Sequence, residues 1–221
     1  TPRFLRLRER SLGRRLVPPG EQAERLRLAL GTRQRPDRLA ALDAALRAIG
    51  RHYFEAGLPL PVLEQVEIDD AAITFQWAEP SGPPPAGFTA DGSRWRVTLD
   101  QAPPNADHPC PFPALVSLGS SPNGALILVD AERSRVLGVA AEQPELAKAT
   151  LSAMGVELGC APWAQETQLV VCGDGAELVV LAGGDRVLRQ ARLDDAVAQV
   201  HLLAGRRRAA LGSEPLTSLR I

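Results

Sequence analysis

The sequence predicts an α/β protein: a core sheet with packed helices, preceded by a helical arm and a small β unit. Three observations carry that expectation. Across residues 36–56, Leu39, Leu42, Leu46, Ile49 and Tyr53 recur at three- and four-residue spacing, which makes one apolar helical stripe. Residues 62–68 and 72–78 then alternate apolar and polar with period two, the pattern of a half-buried hairpin. Residues 114–181 finally read as strand, strand, strand, helix, strand, strand, with a strand at 136–140 running into a helix from Leu146 to about Gly159.

Taken in order, residues 3–16 set Arg3, Arg6, Arg8, Arg10, Arg14 and Arg15 against Leu5, Leu7, Leu12 and Leu16. Such an arm suits a juxtamembrane or nucleic-acid contact, or a solvated linker. Pro18, Pro19 and Gly20 break it, and residues 21–30 read as a short helix. The main helix should begin at Pro36 or Asp37 and stop at Gly57 and Pro59. Asp69 and Asp70 sit at the tip of the first hairpin, where adjacent carboxylates are turn formers before they are acid/base or metal groups. Pro80, Pro83, Pro84 and Pro85 make a stiff connector. A second β unit follows at 88–99, turning at Asp91 and Gly92. Residues 100–113 are another proline-rich crossing, with His108 and Cys110 two apart. No second cluster supplies the ligands a zinc site would need, and His52 and His201 stand alone in helices.

Strands at 115–118 and 125–130 are joined by residues 119–124, which fit the spacing G-x-x-x-x-G. Ala125 and Leu126 follow where a phosphate loop has Lys and then Ser or Thr, so this joint predicts a hairpin turning at Asn123 and Gly124. Ser120 and Ser121 have neither a nucleophile elbow nor a neighbouring base. In the following helix Ala147, Leu151, Met154 and Leu158 share a face, and Gly155 predicts close packing on a sheet. Residues 169–172 and 177–182 read as strands, the first buried on both faces. In the last helix, 193–211, Asp194 and Asp195 at the start and Arg206, Arg207 and Arg208 near the end complement the dipole. Leu193, Val197, Val200 and Ala204 are expected on its buried face. Residues 216–221 suggest a further strand.

Composition narrows the function classes. A net charge of -1 offers no overall electrostatic attraction to DNA or anionic lipid, and 4% aromatic residues leave few stacking platforms for single-stranded nucleic acid. No apolar run is long enough for a membrane span. The 3 cysteines follow no CxxC spacing and predict a buried, reduced set in the cytosol.

Three pieces together carry a resemblance. They are the hairpin 115–119 to 125–130, the strand–helix unit 136–159, and the stretch from Ala161, Pro162 and Trp163 to Cys172. Their order resembles the nucleotide-binding domains of FtsK-like and type VII secretion ATPases. It is closer still to a degenerate P-loop version in large actinobacterial membrane proteins that also carry LysM repeats and a bacterial transcriptional activator domain. The resemblance implies a P-loop-NTPase-like sheet and a cytoplasmic location beside a membrane anchor, with Arg3 to Arg15 following the transmembrane segment.

The phosphate-binding residues depart from that pattern. Between Gly138 and Thr150 there is no second glycine and no Gly-Lys pair, Lys148 lies too far into the helix, and Glu142 and Glu145 place negative charge where phosphate would sit. No catalytic, cofactor-binding or metal residue is therefore expected. The expected layout is a basic arm and short helix at 1–35, a helix with a small β unit at 36–113, and a degenerate P-loop-like α/β domain at 114–221. The expected role is a non-catalytic regulatory or protein-interaction domain of a membrane-anchored, transcriptional-regulator-like protein. Its partners would be other domains of the same polypeptide or a protein partner, with membrane proximity through the N-terminal arginines. The alternatives are a nucleotide-binding or ATPase domain with an unorthodox phosphate loop and, more weakly, a DNA-binding regulator.

Overall fold

The first element, α1 (Pro36–Ala56), follows its apolar stripe: Leu42, Leu46 and Ile49 are 0% exposed. Gly57 ends it at φ 63°, and the Leu58 N–H closes the turn on the Tyr53 carbonyl at 3.0 Å. The computed structural model describes residues 36–211 apart from 105–106, 135, 166 and 174–175. The arginine-rich arm, the helix expected at 21–30 and the strand expected at 216–221 lie outside the described residues.

Six strands follow: β1 (Leu63–Ile68), β2 (Ala72–Trp77), β3 (Thr89–Asp91), β4 (Arg94–Thr98), β5 (Leu115–Ser120) and β6 (Leu126–Asp130). They form one antiparallel sheet in the order β3-β4-β2-β1-β6-β5. Period-two alternation turns Val66, Ile68, Ile73, Phe75, Trp77, Trp95 and Val97 into a core shared with α1. Trp77 and Trp95 meet edge to face at 5.2 Å, and Tyr53 stacks on Trp95 at 6.0 Å. Burying one such indole contributes on the order of 4–6 kcal/mol before entropy, from about 150–250 Å² at about 25 cal/mol per Å². Arg47 ties the proline-rich crossing to α1: it pairs with buried Asp43 at 3.0 Å and donates to the His108 carbonyl at 2.7 Å.

The remaining elements are α2 (Ala131–Ser134), α3 (Pro144–Cys160), a 3-10 turn (Pro162–Ala164), β7 (Leu169–Cys172), α4 (Ala176–Gly183), β8 (Val187–Gln190) and α5 (Leu193–Leu211). β7 and β8 are parallel and form their own two-stranded sheet. The fold is thus mixed α/β, with most of its strands antiparallel. Because β6 pairs with β1, the domain boundary expected between residues 113 and 114 falls inside one sheet.

Several expectations need correction. Residues 136–140 are not a strand: Val136 is 85% exposed and the run pairs with no ladder. Residues 177–182 are helical, within α4. A short unbroken apolar run has no periodicity to separate a strand from a buried helix, and here Val179 is buried among residues of α3 and β8. Gly155 does mark a close approach, but to a helix, since a Cβ there would lie 2.7 Å from Val179 Cγ2. β7 is half-buried along its length instead of buried on both faces. On α3, Met154 is buried while Leu151 is 50% exposed. On α5, Leu193, Val197 and Val200 are exposed, whereas Ala196 is buried.

Candidate functional site

The same alternation that fills the core leaves the other face of β1, β2, β4 and β3 polar. Two cross-strand rows run over it: Gln65, Gln76, Arg94 and Asp91, then Glu67, Thr74, Arg96 and Thr89. With Asp69, Ala90 and Asn123 they line an open concavity of about 880 Å³. Asn123 reaches it from the β5–β6 hairpin, whose turn is closed by the Gly124 N–H donating to the Ser121 carbonyl at 2.8 Å.

Both arginines of this face have a partner on it. Arg94 Nε donates to Gln76 Oε1 at 2.8 Å, and Gln76 Nε2 donates to Ser93 Oγ at 2.7 Å. Arg96 lies 3.7 Å from the Asp69 carboxylate. Asp69 Oδ1 also accepts the Ala71 and Ala72 N–H groups at 2.6 and 2.7 Å, so it is the turn former that its place at the hairpin tip predicts. Those bonds, the Ala71 N–H first, then Ala72 and the nearby Arg96 and Arg38 guanidiniums hold its carboxyl below the ordinary carboxylate value against partial desolvation. Asp70 pairs with Arg38 of α1.

Two arginines face three carboxylates here, and the lining holds no His, Cys, Ser or Lys. Among the described residues no group of three or more His, Cys, Asp or Glu side chains is placed to hold a metal. Cys110 is buried in the main core, while the His108 ring donates its Nδ1–H to the Pro109 carbonyl at 3.0 Å and packs near Phe54. His52 lies edge-on to Tyr53 and Trp95. All three cysteines are thiols. Cys160 is exposed and Cys172 half-buried, so the buried set expected from the sequence is reduced to Cys110.

The stretch leading into α3 carries no phosphate cradle. Residues 137–140 form neither strand nor helix, and Glu142 and Glu145 are exposed. Pro144 opens the helix, Glu145 lies in its first turn, and Lys148 sits 3.9 Å from Glu145 on the same helix. Ser121 Oγ contacts Asn123 and the Ala125 carbonyl within its own hairpin.

The outer edge of β5 is closed by side chains. Trp163 Nε1 donates to the Leu115 carbonyl at 3.2 Å, and Glu157 Oε2 accepts both the Ser117 N–H at 2.7 Å and its hydroxyl at 2.8 Å. These contacts occupy backbone groups that would otherwise template another strand. Burial pushes the Glu157 carboxyl above its ordinary value, although the two Ser117 bonds oppose that shift. Sequence reading missed Glu157 because nothing in its helical spacing shows that a strand edge lies 40 residues upstream.

Among the described residues no helix is long and apolar enough to cross a membrane. No family model matches the chain, nor does any curated protein or solved structure.

Proposed function

We propose that this chain is a non-catalytic interaction module whose open sheet face receives a polar polypeptide surface, either a neighbouring domain of the same polypeptide or a separate protein. The observation that carries this reading is the concave face of β1–β4. It is polar, internally charge-balanced to within one carboxylate, and holds no His, Cys, Ser or Lys. Its amides, guanidiniums and carboxylates offer paired donors and acceptors to another protein. With no aromatic ring in the lining and an acidic excess, it is poorly matched to nucleic-acid bases and phosphates.

The parallel pair β7–β8 with its crossover helix α4 supports the further reading of a reduced P-loop-like layer, as in the degenerate domains of LysM and transcriptional-activator-domain membrane proteins. In that reading Glu145 and its contact with Lys148 occupy the helix start where phosphate would sit, and regulation passes through contacts. Calorimetric titration with ATP and GTP in the presence of magnesium should give no binding heat; a micromolar dissociation constant for either nucleotide defeats the non-catalytic reading. Amide exchange in β3 and β4 should slow when the chain is measured within its full-length polypeptide or with a captured partner. Unchanged exchange there removes the open face as the contact.

A further inference from the structure

The joint between the six-stranded sheet and the elements that follow it contains a carboxyl group with no cation beside it. α3 packs on β5, on the 3-10 turn, on β7 and on α4. Where it meets β5, Glu157 Oε2 accepts both the N–H and the hydroxyl of Ser117, and Trp163 of the turn donates to the neighbouring Leu115 carbonyl. β5 is the last strand of its sheet, so these side chains stand where the backbone of a further strand would be.

The charged and titratable groups around this joint are engaged elsewhere. β5 and the turn carry none. Glu177 of α4 pairs with Arg189, and Cys172 is the last residue of β7. Arg186 donates to the Gly159 and Ala164 carbonyls, and Arg47 of α1 to Asp43 and to the His108 and Pro162 carbonyls. On α3 itself, Cys160 directs its thiol to the Ala182 carbonyl, while Lys148 and Glu145 lie about 13 Å or more along the helix from Glu157. Among the described residues no cation pairs with Glu157.

An ionised carboxylate so placed keeps its two bonds to Ser117 but loses much of its water, and no opposite charge replaces that hydration. A protonated one keeps an acceptor oxygen and has no charge to desolvate. Burial therefore holds the docked carboxyl above its ordinary 4.5, against the opposing Ser117 bonds. When α3 moves off β5 the group returns to water and to its ordinary value. Docking is then strongest below 4.5 and weakens as pH rises through the raised value of the docked state.

We propose that the Glu157–Ser117 contact is a proton-sensitive latch. Protonated, it holds α3 and the elements packed on it against β5; ionised, it lets them open separately from the six-stranded sheet and frees the Ser117 edge of β5.

Native-state amide exchange of the 221-residue chain, corrected for intrinsic rates, tests the latch. Opening of α3 and α4 and exposure of the Ser117 amide should be severalfold more frequent at neutral pH than at pH 4.5, relative to β1 and β2 in the same sample. Glu157→Gln, uncharged at both pH values, should remove that difference. Ser117→Ala should widen it, because the hydroxyl no longer stabilises the ionised form. The latch is overturned by a wild-type chain whose relative opening is the same at both pH values, or by a pH difference that persists in Glu157→Gln. Opening of β1 and β2 in step with α3 would overturn it equally, since the contact would then release nothing on its own.

Discussion

The layer built from α1 and the six-stranded sheet and the layer built from α3, β7, α4, β8 and α5 draw on the same apolar residue types and bury them to different depths. Among the described residues the largest fully buried side chains, from Leu42 to Trp163, belong to the first layer and the turn that docks on it, and none of them comes from β7, α4, β8 or α5. The second layer has a small core of Val156, Val179 and Val187, with half-buried neighbours around it. A two-stranded parallel sheet is a poor unit alone, because parallel strands normally rely on cover over both faces. The comparison teaches that the first layer holds its own shape, while the second is the less stable unit and the one with apolar surface left for a partner.

The largest expected effect lies in the first layer. Trp95→Ala empties a site that is 0% exposed between Tyr53, Trp77 and Phe88, and should cost about 3–5 kcal/mol in urea unfolding. A loss below about 1 kcal/mol would mean that this core is loosely packed and the contrast between layers is wrong.

A middle-sized effect separates the layers. Gly155→Ala gains roughly 1 kcal/mol of helix propensity but drives its Cβ to 2.7 Å from Val179 Cγ2, and overpacking of about 1–3 kcal/mol should outweigh that gain. Amide exchange should quicken in α3 and α4 while β1 and β2 keep their protection. Adding Val179→Ala should recover part of the loss, since the two positions touch. Equal loosening of both layers would show that they unfold as one.

The smallest effect is a pH effect at the joint between them. Glu157 has a carboxyl raised above its ordinary 4.5, so the folded chain binds that proton more tightly than the unfolded chain. The associated stability is full below 4.5 and is lost as pH rises through the raised native value. Glu157→Gln keeps an acceptor for Ser117 and leaves no charge to bury. It should therefore be about 1 kcal/mol more stable than wild type at neutral pH, with the gap closing in acid. A glutamine variant less stable at neutral pH would show that the charged hydrogen bonds outweigh burial.

Much of the first layer was legible in the residues. α1 announces both of its ends, and the β1–β2, β3–β4 and β5–β6 hairpins carry Asp69, Gly92 and Gly124 at their turns. Local rules decide those features, since a turn needs one special residue and a half-buried strand needs alternation. The strand expected at 136–140 and the strand read into α4 failed for the opposite reason. Both are short apolar runs, and their conformation depends on whether a ladder partner or a facing helix is near. The candidate face was half legible: the alternation predicts a polar side for β1 and β2, but not that β4 brings Arg94 and Arg96 alongside. That neighbour relation crosses the proline-rich connector after β2, whose path no local pattern records.

What the sequence alone determined was the mixed α/β class, the helix stripes, the hairpin turns and the lack of a glycine-lysine phosphate loop, all of which are properties of residues a few positions apart. Tertiary structure decided that β6 joins β1, that Gly155 meets Val179 and that Glu157 closes the edge of β5. It also decided that the apolar seam of α5 faces outward. Each of these depends on surfaces brought together from distant parts of the chain, and a helical stripe is the same in sequence whether its neighbour is its own core or a second copy.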